Sequence, residues 1–171
     1  AAIPEGLAAA LPRLAEGLGV PLGSVLLAAH AKVLAALSGE REVVTGYVAV
    51  AGGRPLPCRL TTEPDSWRAL LLEARRAEAE LLSHKDFAVD DLGRELGLTG
   101  PAFEAVLDPT GDRADLAEGT VLRVGLSPHG GPLALRLRYR AEAIDAPYAA
   151  RIAGYHLKAL ALLAADPDAE H

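Results

Sequence analysis

Apolar residues recur along this chain with two periods, and the alternation between them predicts the elements. After Pro4, residues 5–18 read as a short Ala/Leu helix whose end is weakened by Gly17 and Gly19. Pro21 opens the next segment. There Val25, Leu26, Ala29, Val33, Leu34 and Leu37 recur at helical spacing, and Ser38-Gly39 supplies a stop. Val43 to Val50 is β-branched, aromatic and mostly apolar, which predicts a strand buried on both faces. Gly52-Gly53-Arg54-Pro55 breaks it. Residues 56–62 predict another strand, put at an edge or a strand start by Pro55 and Pro57. Asp65 or Ser66 suits the N-cap of a helix running to about Ser83, with Trp67, Leu70, Leu71, Ala74, Ala77 and Leu81 on one face.

The second half changes period. Residues 89–96 predict a shorter helical segment ended by Gly97, and residues 102–107 a strand. Pro109-Thr110-Gly111-Asp112 is a turn cluster. Leu122, Val124 and Leu126 alternate with Arg123 and Gly125. After the turn residues 128–132, Leu133, Leu135, Leu137 and Tyr139 alternate with Ala134, Arg136, Arg138 and Arg140. This predicts a hairpin with one buried face. Asp145 suits the cap of a last helix whose inner stripe is read as Tyr148, Ile152, Tyr155, Ala159, Leu162 and Leu163, ending at Asp166-Pro167-Asp168. The order ααβ(β)ααβββα predicts the α/β class, an α+β sandwich in which helices pack on a mixed sheet. Residues 1–171 are read as one domain.

Composition narrows the function. Hydrophobic residues make up 50% and charged residues 23%, which specifies a folded core rather than a disordered chain. Aromatics at 4% and a formal charge of -6 argue against a nucleic-acid partner, which would need stacking platforms or a basic face. No apolar run is long enough to span a bilayer, and no signal pattern opens the chain, so no membrane partner is expected. Cys58 is the single cysteine, so no internal disulfide forms and the expected compartment is the cytoplasm. Methionine is absent and the chain opens Ala-Ala-Ile-Pro-Glu, which is read as a piece cut from a longer protein.

The chemistry-bearing motifs are mostly missing. There is no Gly-x-Ser-x-Gly, no phosphate-binding Gly-x-x-x-x-Gly-Lys-Ser/Thr, no Gly-x-Gly-x-x-Gly opening a helix and no His-Glu-x-x-His. No Cys/His cluster has metal-ligand spacing. His30 is read as a structural residue of an Ala-rich helix. His84 is read as a helix-end residue beside Asp86, His129 as a turn residue, His156 as the edge of the last stripe, and His171 as uninformative. Leu22-Gly23-Ser24-Val25-Leu26 is similar to the serine motif that accepts phosphopantetheine in carrier proteins. However, Gly23 replaces the usual Asp or His, and Ser24 is read as an N-terminal helix residue. No catalytic, cofactor-binding or metal residue is assigned. Arg136, Arg138 and Arg140, with Arg123, form a basic row that suits either an acidic partner such as a carrier protein or a solvated, aggregation-resistant strand face.

Several stretches in order resemble the C-terminal lobe of a nonribosomal peptide synthetase condensation domain. They are Val25 to Ala31 through Leu37-Ser38-Gly39-Glu40, Glu42 to Gly46, Gly53-Arg54-Pro55-Leu56-Pro57, Asp65 to Leu71 and Ser83-His84-Lys85-Asp86. Leu135 to Tyr139, Ile144-Asp145, Ile152 to Leu157 and Leu163 to Pro167 complete the series. The resemblance implies one lobe of a two-lobed, chloramphenicol-acetyltransferase-like fold. It also implies a His-His-x-x-x-Asp-Gly motif in the other lobe and a tunnel admitting the phosphopantetheine arms of carrier proteins. The chain lacks that motif. It also lacks the long stretch that the family carries after Gly-Arg-Pro and that floors the tunnel, since Pro57 runs straight into Cys58-Arg59-Leu60.

The expectation is a truncated, non-catalytic lobe of a nonribosomal peptide synthetase or adenylating enzyme in peptide-antibiotic biosynthesis. It would serve as a structural or docking element beside neighbouring synthetase domains or a carrier protein, with self-association as one outcome. It would bind no cofactor directly and would meet only a carrier's phosphopantetheine. The alternative is the rear half of an active condensation domain whose catalytic histidine lies in a missing N-terminal lobe. A carrier modified on Ser24 and a self-assembled acyltransferase are the remaining readings.

Overall fold

The computed structural model describes residues 1–83, 103–111, 115–127 and 133–171. Their elements are α1 (Glu5–Leu18), α2 (Leu22–Ser38), β1 (Glu42–Tyr47), β2 (Leu56–Thr61), α3 (Trp67–Ser83), β3 (Ala105–Asp108), β4 (Leu122–Leu126), β5 (Leu135–Tyr139) and α4 (Ala146–Ala165). The helical segment predicted at 89–96, the turn at 128–132, Asp112, His84 and His129 lie outside the described residues.

The strands form one mixed sheet in the order β2-β1-β3-β4-β5. β1, β3 and β4 run parallel, while β2 and β5 are antiparallel to their neighbours. β2 is an edge strand, as its prolines predict. Thr62 N–H donates to Arg41 O, so alternation places Pro57 where its missing N–H would have faced outward from the sheet. The opposite edge is met by the first residues of the chain. Ile3 N–H donates to Leu133 O, and Leu135 N–H donates to Ala1 O.

Helices α2, α3 and α4 pack on the sheet face that carries Val43, Thr45, Tyr47, Cys58, Leu60, Leu107 and Val124. Leu27, Leu70, Leu71, Ile152, Leu160 and Leu163 are fully buried there. Each contributes about 1.5–3 kcal/mol of apolar transfer. The face opposite carries Val44, Gly46, Val106, Asp108, Arg123 and Gly125, with the Phe103 ring lying over Gly46.

Three expectations need correction. The helical spacing in α2 singles out Val25, Leu26 and Ala29 in its first turns, yet Ser24 through Ala31 are buried without interruption, because α1, α3, α4 and β1 surround it. The inner stripe of α4 is rotated from the predicted one. Ala149, Ile152, Ala153, His156, Ala159, Leu160 and Leu163 face inward, whereas Tyr155 (46%) and Leu162 (49%) are exposed. Small Ala and a histidine line the seam against α2, and Tyr155 lies outside it. β1 also ends at Tyr47 rather than Val50, because the chain turns at residues 50–53. There Gly53 N–H donates to Val50 O at 2.8 Å, and Gly52 takes a φ of 72° that favours glycine.

Caps are placed as predicted. Gly19 and Gly39 end α1 and α2 in the left-handed region. Ser66 Oγ accepts from Ala69 N–H, and Asp145 Oδ1 accepts from Tyr148 N–H at 2.7 Å. The C-terminal tail completes the start of α3. Trp67 and Arg68 donate their N–H groups to Ala169 O and Pro167 O, and Arg68 grips Asp168 with two hydrogen bonds.

Candidate functional site

Three buried polar clusters stand out in the interior. The first joins α2, α4 and β1. His30 and His156 are stacked, with ring centroids 5.2 Å apart, and His30 Nδ1 lies 2.9 Å from His156 Nε2. His30 Nε2 meets Thr45 Oγ1 at 3.0 Å, and His156 Nδ1 donates to Ile152 O at 2.8 Å. Burial, then the neighbouring ring, holds His30 well below the usual imidazole range. Burial lowers His156 to about 4, although the Ile152 carbonyl opposes this by favouring the protonated ring. Both rings are therefore neutral at pH 7.

The second cluster lies where β1 ends against the first turn of α2. Ser24 Oγ and Tyr47 Oη both donate to Glu78 Oε2, at 2.8 and 3.2 Å. Arg75 reaches the other carboxylate oxygen at 4.0 Å. Burial and the Glu78 carboxylate push the Tyr47 phenol above its ordinary range. Gly23 is required here, since a Cβ at that position would lie 2.5 Å from Tyr47 Oη.

The third cluster closes the C-terminal end of β3. Asp108 is buried and accepts from Thr110 N–H at 2.9 Å and from the Thr110 hydroxyl and Arg123 at 2.5 Å each.

Among the described residues, His30, His156 and Ser24 are held as internal partners in these clusters. Ser24 is fully buried, so its hydroxyl is closed to a phosphopantetheine-transferring enzyme in this fold. Cys58 is buried, and its thiol is pushed up to about 12 by burial and then by Glu78, which removes the nucleophilic thiolate. Among the described residues, no group of three or more His, Cys, Asp and Glu is arranged to hold a metal ion. No single helix among them is long and apolar enough to cross a membrane.

The basic row is divided in its contacts. Arg138 pairs with Asp115. Arg140 donates to Thr120 O and Ala117 O, both at 2.8 Å. Arg136 is half-buried on the same side of β5. His171 donates through Nε2 to Pro64 O and tilts over Trp67, so it helps dock the C-terminal tail. Sequence reasoning missed the Glu78 and Asp108 clusters. The available signal for Glu78 was its place on the apolar stripe of α3, between Ala74 and Leu81. A charge there is buried and must find donors.

Over 96% of its length the chain is 32% identical to the AMB antimetabolite synthetase AmbE of Pseudomonas aeruginosa, of which it spans 9%. Its fold is similar to the X-domain from teicoplanin biosynthesis, with a TM-score of 0.83 and 20% identity over 96% of this chain and 46% of that one. It is also similar to the condensation domain of the Monacolin K polyketide synthase MokA, at 0.81 and 15% over 99% and 47%. The first condensation domain of the calcium-dependent antibiotic synthetase gives 0.81 and 24% over 99% and 46%. No protein-family model matches the chain. The chain thus has the condensation-domain fold and spans less than half of those structures, consistent with a C-terminal lobe.

Proposed function

We propose that this chain is a condensation-type C-terminal lobe of a nonribosomal peptide synthetase that serves as a structural or docking element and does not itself form amide bonds. The observation that carries the proposal is the connection from β1 to β2. After the turn at residues 50–53 the chain returns directly, and Leu56 and Pro57 pair with Tyr47 and Gly46. The family resemblance implies a long crossing stretch at this point, flooring a tunnel shared with the other lobe. Here both strands stay within one sheet. The burial of Ser24, Cys58, His30 and His156 supports the same reading, since each is held in an internal cluster or closed to solvent. The partners proposed are neighbouring synthetase domains or a carrier protein, and the surface includes Arg136, Arg138 and Arg140.

The test is to supply the chain with a donor carrier loaded with an acyl thioester and an acceptor carrier loaded with an amino acid. No amide product is expected by mass spectrometry, and binding to a carrier or an adjacent domain is expected by gel filtration. An amide product above the carrier-only background overturns the proposal.

One observation favours a second reading, the rear half of an active condensation domain. The chain spans 42–47% of the matching domains, the share that one of two lobes would take. Turnover on adding an upstream lobe with the His-His-x-x-x-Asp-Gly motif would establish it.

A further inference from the structure

The hydrogen-bond chain that runs Ile152 O, His156, His30, Thr45, Ala105 O has four links. Thr45 Oγ1 closes the last one at 3.0 Å from Ala105 O. Each link needs one proton. Two neutral imidazoles and one hydroxyl supply three. A carbonyl only accepts, so the Ile152 link fixes a proton on His156 Nδ1. His156 Nε2 then accepts, so His30 Nδ1 carries a proton. His30 Nε2 in turn carries no proton, and the single Thr45 hydroxyl proton serves three acceptors, His30 Nε2 and Ala105 O at 3.0 Å each and Gly46 O at 3.3 Å. Both rings are thereby held as the Nδ1–H tautomer. A fourth proton would complete the chain but would place a charge where no carboxylate answers it.

We propose that the His30–His156–Thr45 chain is a proton-sensitive tie, which holds α2, α4 and β1 together while both rings are neutral and loosens that seam when a proton enters. The charged groups on the surrounding elements do not compensate. Lys32 on α2 is half-buried, and Arg151 and Lys158 on α4 and Glu42 on β1 are exposed. On α1, Glu5, Arg13 and Glu16 are also exposed. Glu78 of α3 accepts from Ser24 and Tyr47, and Asp108 of β3 accepts from Arg123 and Thr110. Among the described residues none of these groups hydrogen-bonds either ring.

The sign follows from linkage. In the unfolded chain each ring takes up its proton near 6.5, whereas in the fold His156 does so only near 4 and His30 well below 6.5. The stability held by the tie is complete above pH 6.5 and is lost as pH falls from there towards 4. With both rings protonated only when unfolded, the unfolding constant rises up to about 100-fold per pH unit, and up to about 10-fold when one ring is removed.

Long-range ¹H–¹⁵N correlation on the unmodified chain at pH 7 is expected to show both rings as Nδ1–H tautomers, with neither titrating between pH 7 and 5.5. Urea unfolding between pH 7 and 4.5 is expected to lose its steep dependence stepwise in His156→Leu and in the double variant His30→Phe/His156→Leu. An Nε2–H tautomer in either ring, native titration near 6.5, or an unchanged pH slope in the double variant overturns the proposal. If the variants do not fold, the tautomers and titration of the unmodified chain decide it.

Discussion

Tyr47, the last residue of β1, and Ser24, in the first turn of α2, share one acceptor, the Oε2 atom of Glu78 on α3. This single carboxylate oxygen fixes the start of the central helix and the end of a central strand to a third element. Replacing Glu78 by Leu leaves two buried hydroxyls without an acceptor. At about 1–3 kcal/mol for each, a loss of about 2–6 kcal/mol is expected in urea unfolding. Glu78→Gln keeps an oxygen acceptor and is expected to cost less than half as much. Adding Ser24→Ala and Tyr47→Phe to Glu78→Leu is expected to recover part of the loss.

Gly46 and Phe103 define a close contact on the opposite face of the sheet. A Cβ at Gly46 would lie 2.5–2.9 Å from three atoms of the Phe103 ring. Gly46→Ala is therefore expected to destabilise the fold by about 1–3 kcal/mol through overpacking. Phe103→Leu is expected to relieve part of that cost, so a double-mutant cycle by chemical unfolding should show favourable coupling. Strict additivity would mean that the ring moves away freely.

Asp108 and Arg123 form a largely buried ion pair, with side-chain exposures of 2% and 11%. Asp108→Ala removes the partner of a guanidinium that water hardly reaches, with an expected cost of about 3–5 kcal/mol. Asp108→Ala combined with Arg123→Met is expected to cost less than Asp108→Ala alone, because no buried charge remains. Thermal unfolding of the three variants checks the order.

Cys58 gives a direct measure of how tightly β2 is sealed beneath α3. With its thiol pushed up to about 12 from 9.0, the native thiolate fraction at pH 8 falls by about 1,000-fold. A disulfide reagent such as DTNB is expected to label Cys58 slowly in buffer and promptly in urea. Rapid stoichiometric labelling of the native chain would show that β2 opens readily.

The features legible in the sequence were those whose causes are local. Gly19 and Gly39 ended helices because a left-handed residue stops them wherever they pack, and Ser66 and Asp145 capped helices through bonds three residues away. Pro57 marked an edge because proline lacks the donor that a central strand needs. The alternation of Leu122, Val124 and Leu126 set the buried face of β4 without reference to any neighbour, whereas on β5 only Leu135 is buried and the expected alternation is lost.

The candidate site was much less legible, because its links join residues far apart in the chain. His156 on α4 looked like the edge of a stripe until α2 brought His30 against it from 126 positions away. An apolar period allows two rotations of α4 that differ by one residue, and packing against α2 and the sheet selects one of them. Local hydrogen bonding and backbone sterics thus determined the elements and their ends. Which polar side chains are buried, and which proton each must carry, was decided only when the helices closed over the sheet. Desolvation acts on a group only once its surroundings have excluded water.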